Sequence, residues 1–386
     1  MADKPLITGI EIIEFEEEPI QDLGTDYNGF NLVYVPGSVM PRRGTVIQMH
    51  TSVGISGVTL GGDTRLLTQR RYLDYLIGKN ALERERIYQD LKRALRQQAR
   101  MGMATVDVLL WDIAGKYYNA PIWELLGGHI RPLKCYASTT HGDHNGGLDS
   151  PQAYADFAEQ CLEMGYPAFK IHGWGNSLVA LEIANIHAVG KRVGDKMDLM
   201  LDPACELNTF GDAVKVGWAC DEERFFWLED AYKDGGISQF AHRKLRQLIK
   251  TPLLQTEHVR TLEPHIDFAI ADATDYLRGD VGYDGITGVM KLAHAAEALG
   301  LDVEMHGPGP AQRHLMTSIR NTNYYEMGLV NPKVKMGSSK VLLNYRDGLD
   351  AIDANGCVYA PEGPGLGVEV DWDYIHAHCT DRTTLE

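Results

Sequence analysis

Short apolar runs, each followed by a stretch with helical periodicity, recur along the chain from Leu133 onward, and this alternation constrains the fold more than any other feature. Strands that alternate with helices form βαβ units and a parallel sheet buried on both faces, and eight such units close into a barrel. The runs are Cys135–Ala137, Ala168–Ile171, Leu199–Leu201, Phe225–Leu228, Leu253–Leu254, Tyr276–Leu277, Val303–Met305 and Tyr324–Leu329. The sequence therefore predicts an eight-stranded α/β barrel.

The chain before Leu133 has a different pattern of apolar and polar residues. Apolar and polar residues alternate with period two between Pro5 and Leu60, which predicts an antiparallel meander, and helical periodicity follows up to Arg131. A tail with a Gly-rich run follows Leu342. We predict an N-terminal α+β region over residues 1–132, a barrel over 133–342 and a separate C-terminal segment over 343–386.

Residues Gln21–Arg43 interrupt the meander with several Gly and Pro residues. The segment is too long for a hairpin turn, so we predict a loop that covers the active site as a substrate lid. Its charged and aromatic residues Tyr27, Tyr34, Arg42 and Arg43 are then candidates for substrate contact. The alternative is a surface loop without a role.

Charge and hydropathy exclude two classes of partner. The chain has 37 basic and 53 acidic residues, a net charge of −16, which opposes binding to nucleic acid. Charged residues interrupt every apolar run before the ~20 residues that a bilayer requires. The first twenty residues also lack the basic start and apolar centre of a secretion signal, so we expect a cytoplasmic protein.

Polar and ionisable residues lie where the eight apolar runs end, one strand–helix unit apart. A barrel places such residues on one rim, where active sites of this architecture lie. They are Lys170, His172, Asp202, Glu229, Glu257, Asp280, His306 and Glu326.

Three consecutive strands end in carboxylates, namely Asp202, Glu229 and Glu257. Like charges placed side by side repel one another, and a hard divalent cation removes that conflict. Ligands that are all oxygen favour Mg²⁺ over Zn²⁺, which prefers nitrogen and sulfur. A single carboxylate at a strand end is more often a surface charge or a helix N-cap, but three in succession predict a Mg²⁺ site.

Ionisable groups flank this predicted metal site on two sides. Asp280 and His306 end adjacent strands, so the carboxylate would orient the imidazole and give it a pKa near neutral. Lys170, close to Mg²⁺ and His172, would have a lowered pKa and act as a base, or would instead be a salt-bridge partner of the carboxylates. Glu326, if protonated in a dry site, would donate a hydrogen bond to substrate.

A Mg²⁺ ion with bases on two sides serves one class of reaction. The ion would bind a substrate carboxylate and neutralise the charge that develops as the α proton leaves, through an enediolate intermediate. The predicted chemistry is therefore abstraction of a proton next to a carboxylate.

At these residues the chain resembles the enolase superfamily, specifically its mandelate racemase subgroup (the mandelate racemase/muconate lactonizing enzyme family), in which a Lys or His base works with Mg²⁺. Motifs along nearly the whole chain carry the resemblance. They are Leu110–Lys116 with Leu125–Gly128, Phe169–His172, the three carboxylates, Gly279–Val281 with Gly285–Thr287, His306, Glu326 and Gly365–Val368.

The resemblance implies a (β/α)7β TIM-like barrel with an α+β capping domain built from the N-terminal region and the C-terminal tail. It also implies sugar-acid substrates and a homo-oligomer. Two positions depart from the subgroup. His172 stands in place of the second lysine of a Lys-x-Lys pair, so its role as proton donor, substrate ligand or spectator stays open, and Ala204 stands where relatives often have a polar residue.

The preferred hypothesis is a Mg²⁺-dependent acid-sugar dehydratase that forms a 2-keto-3-deoxy acid. The alternative is a racemase, epimerase or cycloisomerase that acts on a related carboxylate and uses groups on opposite faces. Two further classes are a metal-dependent hydrolase, which we would expect to have His-rich ligands, and a carboxylate-binding protein without catalysis.

Overall fold

Two sheets organise the protein in the computed structural model, which describes residues 3–176, 178–336 and 339–386. The first sheet has four antiparallel strands. The second has eight parallel strands, with one short antiparallel strand at its side. Helices pack between and around the two sheets.

The elements before the parallel sheet form the predicted α+β region. They are β1 (Ile7–Thr25), β2 (Leu32–Thr51), β3 (Ser56–Leu60), α1 (Arg70–Leu76), α2 (Arg84–Ala94), α3 (Met103–Tyr118) and α4 (Ile122–Leu125). The apolar side chains that alternate along β1 and β2, such as Ile10 and Ile47, are buried against the helices. Helix α3 is buried along most of its length, because it lies between β3 and the barrel.

The segment 21–43 is not the loop that we predicted. Strands β1 and β2 pair as one long hairpin up to Thr25 and Leu32, and only residues 26–31 form the turn. Pro36 and Gly37 lie at an irregularity in the ladder, where Asp22 accepts a hydrogen bond from the Gly37 amide. Gly37 has a φ of +78°, which explains why a bulge of this kind contains glycine.

The eight predicted strands all occur, and helices connect them. In chain order the elements are β4 (Leu133–Thr139), α5 (Pro151–Glu163), β5 (Ala168–His172), α6 (Val179–Val193), β6 (Asp198–Asp202), α7 (Phe210–Glu223), β7 (Trp227–Glu229), α8 (Gln239–Arg246), β8 (Leu253–Gln255), α9 (Leu262–Ile270), β9 (Tyr276–Gly279), α10 (Val281–Ala298), β10 (Asp302–Met305), α11 (Pro310–Ser318), β11 (Tyr325–Val330), β12 (Cys357–Val358), α12 (Trp372–Ala377) and β13 (Cys379–Leu385).

The parallel sheet curls into a near-closed barrel. Strand β11, the last of the eight, pairs with β4, the first, and the ladder continues in chain order to β10. The seam between β10 and β11 is bridged by Glu304, which accepts hydrogen bonds from the backbone amides of Asn323 and Tyr324. The fold class predicted from the sequence is confirmed, whereas the domain boundaries at 132/133 and 342/343 remain predictions.

The barrel interior has an apolar layer and a charged layer, since alternate residues of each strand point inward. Ala168, Met200, Trp227, Leu254 and Tyr324 belong to one buried apolar cluster. Two residues further along their strands, Ala168, Met200, Trp227 and Tyr324 are followed by ionisable residues. These are Lys170, Asp202, Glu229 and Glu326. The strands therefore bring charged groups together at their carboxyl ends.

The C-terminal segment returns to the N-terminal region. Strand β13 pairs with β1, so the end of the chain completes the antiparallel sheet. On α3, the buried Asp112 accepts hydrogen bonds from the amides of Val58 at 2.8 Å and Leu366 at 2.8 Å. Gly365 has a φ of +72°, and a Cβ there would lie 2.1 Å from Asp112 Oδ1, so this contact requires glycine.

Among the described residues, we find no helix that is long and apolar enough to cross a membrane.

We predict that Asp112→Ala destabilises the protein by about 3 kcal/mol, because it leaves two buried amides and the Lys116 ammonium without their acceptor. Asp74→Ala is the matched control. Asp74 makes an exposed ion pair with Arg70, so its loss should cost about 0.5 kcal/mol or less. Chemical denaturation of both variants measures the difference, and equal stabilities would contradict the assigned role of Asp112.

Candidate active site

Three carboxylates from consecutive strands converge at the carboxyl end of the barrel. Asp202 ends β6, Glu229 ends β7 and Glu257 follows β8 by two residues. One oxygen from each lies within 4.8 Å of the others. Burial is the largest influence on Glu229 and Glu257 and raises the pKa of both, and the charge of Asp202 acts in the same direction. The structure thus brings together the three predicted metal ligands.

Lys170 lies against these carboxylates and not apart from them. Its Nζ is 3.1 Å from Asp202 Oδ2, 3.0 Å from Glu229 Oε2 and 3.2 Å from Glu326 Oε1. Burial opposes the charge of Lys170, but the surrounding carboxylates outweigh it and raise its pKa well above the usual range. Without a bound metal, Lys170 has the salt-bridge arrangement that the sequence offered as the alternative, whereas its lowered pKa beside Mg²⁺ stays a prediction.

Arg278, which the sequence analysis did not identify, lies fully buried beside Lys170. Its Nη2 donates to Glu326 Oε2 at 2.7 Å and to the Tyr136 hydroxyl at 3.1 Å, and its Nε is 2.9 Å from Glu229 Oε1. Burial alone would raise the pKa of Glu326, but Lys170 and Arg278 hold it well below its usual value. Glu326 is therefore ionised here, contrary to the predicted protonated donor.

His306 and Asp280 form the predicted pair. His306 Nδ1 lies 2.6 Å from Asp280 Oδ2, and the other Asp280 oxygen accepts a hydrogen bond from the amide of Gly282, which fixes the carboxylate at the start of α10. His306 Nε2 lies 3.4 Å from Glu257 Oε1. Burial would lower the pKa of His306, but Asp280 and Glu257 raise it to about 9, which is higher than the near-neutral value predicted.

His172 lies on the opposite side of the trio, at the end of β5. Its Nδ1 is 2.7 Å from the carbonyl oxygen of Thr139, and its Nε2 is 3.0 Å from Asp202 Oδ2. Because a carbonyl only accepts, Nδ1 carries a hydrogen and Nε2 is the atom that faces the carboxylates. The ring of His141 lies 5.0 Å from that of His172 and is fixed by the carbonyl of Gly173.

A second His–Asp pair lies beside the trio. His258 Nε2 is 3.0 Å from Asp230 Oδ2, and each residue directly follows one of the predicted metal ligands in sequence. The hydrogen bond to Asp230 is the main cause that raises the pKa of His258 to about 9. His258 also follows the end of a strand, but the sequence gives no reason to select it, because its partner Asp230 lies directly after a buried strand and has no distinguishing pattern.

The charges of the site fit one divalent cation. Four buried carboxylates, Asp202, Glu229, Glu257 and Glu326, are opposed by two cations, Lys170 and Arg278, while each His–Asp pair is neutral overall. Two negative charges remain, which is the charge that Mg²⁺ neutralises. Glu229 Oε2 contacts Lys170 Nζ at 3.0 Å, a single cation that a metal can replace, whereas Oε1 lies 2.9 Å from Arg278 Nε. The trio offers only oxygen ligands, which suits Mg²⁺.

A cavity of about 440 Å³ opens onto these groups. Its walls include residues from both sides of the carboxylate trio, among them the second His–Asp pair, His258 and Asp230. The ionisable residues that line it are His141, Lys170, His172, Asp202, Asp230, Glu257, His258, His306 and Glu326. This size suits a small organic acid.

The four predicted substrate contacts do not line this cavity. Tyr27 is 76% exposed, and its hydroxyl donates to the carbonyl of Gly175 in the loop after β5. Tyr34 belongs to the hairpin ladder, Arg42 lies 3.6 Å from Glu17, and Arg43 pairs with its neighbour on β1. Tyr34, Arg42 and Arg43 lie in the strands of the hairpin and Tyr27 lies in its turn, and their contact with substrate stays a prediction.

The hairpin turn nevertheless lies across the barrel mouth. Asn31 Nδ2 donates to Glu206 at 3.3 Å in the loop after β6, and the carbonyl of Leu32 accepts from the His141 amide at 3.0 Å. The turn therefore contacts the loops beside the cavity through backbone and amide groups.

Family models match most of the chain. Residues 33–127 match the N-terminal domain of the mandelate racemase / muconate lactonizing enzyme family, and residues 153–374 match the enolase C-terminal domain-like family. The second match alone covers more than half of the chain.

Two relatives are sugar-acid enzymes by name. The chain is 25% identical to D-gluconate dehydratase of Thermoproteus tenax over 71% of its length and 55% of that protein, so it spans little more than half of this relative. It is 28% identical to D-galactarolactone cycloisomerase of Agrobacterium fabrum, over 79% of this chain and 82% of that protein.

A solved structure agrees with both matches. D-glucarate dehydratase from Agrobacterium tumefaciens, complexed with magnesium, superposes with a TM-score of 0.85 at 26% identity, over 98% of this chain and all of that one. The fold agrees with these matches. The chain is therefore a member of the enolase superfamily of enzymes, with the N-terminal domain of the mandelate racemase / muconate lactonizing enzyme family.

Proposed function

We propose that the protein is a Mg²⁺-dependent lyase that dehydrates a sugar acid to a 2-keto-3-deoxy acid. One observation carries the proposal, namely that the His306–Asp280 pair and the Lys170–His172 side face one cavity from opposite sides of the carboxylate trio. Dehydration needs one group to take the α proton and another to protonate the departing hydroxyl. The names of the two relatives and the solved structure support a sugar acid as substrate.

Asp202, Glu229 and Glu257 would hold the Mg²⁺ ion. When bound, the ion would supply positive charge that offsets the negative charge developing on a substrate carboxylate as its α proton leaves. Lys170, already among these carboxylates, would stay charged and pair with the same end of the substrate.

His306 is assigned the role of general acid. Its pKa of about 9 keeps the imidazole protonated near neutral pH, and Asp280 orients the ring through Nδ1, so Nε2 is the atom that can donate. On the other side, His172 Nε2 is assigned the role of base, because Nδ1 is bound to the Thr139 carbonyl. This role requires Nε2 to leave its contact with Asp202 Oδ2 at 3.0 Å, since a carboxylate oxygen at that distance needs a hydrogen on Nε2.

The alternative is a racemase, epimerase or cycloisomerase acting on a related carboxylate. The relation to D-galactarolactone cycloisomerase favours it, as do ionisable groups on two faces of one cavity. The cytoplasmic location and the homo-oligomer also remain predictions.

We predict that Asp280 maintains the high pKa of His306. In magnesium-free protein, NMR titration should give a His306 pKa of about 9, and Asp280→Asn should lower it towards the ordinary value of about 6.5. A raised pKa stabilises the folded state fully below about pH 6.5, and this stabilisation disappears as the pH rises through about 9. The unfolding free energy of the wild type should therefore fall more over this range than that of His306→Asn; parallel curves would contradict the assignment.

We predict that a panel of aldonic and aldaric acids with Mg²⁺ in D₂O contains a substrate that yields a 2-keto-3-deoxy product, detectable by ¹H NMR. His306→Asn should reduce its turnover by about 10²-fold or more. His294→Asn, on an exposed face of α10, is the matched control and should retain activity.

The same experiment separates the alternatives. Substrate that gains deuterium at the α carbon without elimination would indicate a racemase or epimerase, and a rearranged lactone would indicate a cycloisomerase. Neither product nor exchange with any acid would contradict catalysis at this site.

A further inference from the structure

Arg278 is a charged residue in the middle of a buried strand, where the loss of hydration of its charge is energetically unfavourable. It lies on β9, two residues before Asp280, and is fully buried. No role in the proposed proton transfers accounts for it. Its contacts, however, join the predicted metal site to Glu326 across the barrel.

The contacts hold the guanidinium in one orientation. Nη2 donates to both Glu326 and Tyr136, and Nη1 donates to the carbonyl of Met305 at 3.3 Å. Nε forms an ion pair with Glu229 Oε1 at 2.9 Å, although the two atoms are not aligned as a hydrogen bond. A planar group tied at several atoms to β4, β7, β10 and β11 has little freedom to move.

Lys170 and Arg278 together contact both oxygens of each of two glutamates, Glu229 and Glu326. Each of the two glutamates lies between the two cations: Arg278 meets Glu229 Oε1 and Glu326 Oε2, and Lys170 meets Glu229 Oε2 and Glu326 Oε1. Lys170 is a single point charge on a flexible stem, whereas Arg278 is fixed. A cation that enters the trio can therefore replace Lys170 at Glu229 without disturbing Arg278.

We propose that Arg278 is a positioning residue that fixes Glu229 in the orientation required to bind the metal and links that ligand to Glu326. This inference rests on the proposed Mg²⁺ site. Arg278 would act through the carboxylates and not on the substrate. Partners that orient metal ligands typically contribute about 10-fold to 100-fold to metal affinity or activity.

The test is calorimetric titration of Mg²⁺ into metal-free wild type, Arg278→Lys and Glu326→Gln. Arg278→Lys keeps the charge but loses the planar group, so we expect Mg²⁺ affinity at least about 10-fold weaker than in the wild type. Glu326→Gln removes a partner of Arg278 and one negative charge of the site without touching Glu229. We expect some loss of Mg²⁺ affinity from the lost charge alone, and this variant is the reference for the double variant below.

A double variant guards against a folding defect. Arg278→Met with Glu326→Gln removes one charge of each sign, and it should still bind Mg²⁺ at least about 10-fold more weakly than Glu326→Gln alone. Denaturation of each metal-free variant is measured in parallel. If Arg278 has only a structural role, its variants should have a lower free energy of unfolding but an unchanged affinity for Mg²⁺.

The outcomes are distinct. Weaker affinity in both Arg278 variants supports the proposal. Arg278→Lys that binds Mg²⁺ as tightly as the wild type, or a double variant equal to Glu326→Gln, would overturn it while the metal site stands. A wild type that binds no Mg²⁺ would overturn both the metal site and the role of Arg278.

Discussion

The crowding of buried carboxylates at one end of the barrel is the constraint on which the site depends. Asp202, Glu229, Glu257 and Glu326 come together because parallel strands direct their carboxyl ends to one rim. Their repulsion would be prohibitive without compensation, and Lys170 and Arg278 provide only half of the opposing charge. The remaining negative charge is the basis for the proposed Mg²⁺ site.

Parts of the fold outside the site hold the strands that carry these carboxylates. The apolar layer beneath the charged groups, with Trp227 at its centre, keeps the lower barrel dry, and the hairpin of β1 and β2 extends across the loops at the mouth. Asp112 joins the antiparallel sheet, α3 and the C-terminal tail. The cap and the barrel therefore hold each other in place around the cavity of the site.

Sequence alone predicted the barrel and the convergence of three carboxylates, since apolar runs indicate where strands end and parallel strands share a rim. It could not show protonation or side-chain direction, which depend on three-dimensional neighbours. The pKa directions of Lys170 and Glu326 in the metal-free site depend on close partners that the sequence does not reveal, and Arg278 was overlooked although a charge inside a buried strand, at the inward spacing from Asp280, was a usable signal. The segment 21–43 was misread because Gly and Pro mark bulges as well as loops.

The most direct test of the central claim is a crystal structure of the protein with Mn²⁺, which substitutes for Mg²⁺ at oxygen sites and gives an anomalous signal. We predict a single anomalous peak in contact with one oxygen each of Asp202, Glu229 and Glu257, with Lys170 moved away from Glu229 and Arg278 unmoved. A cavity without a peak, in which the three carboxylates turn away from one another, would contradict the account.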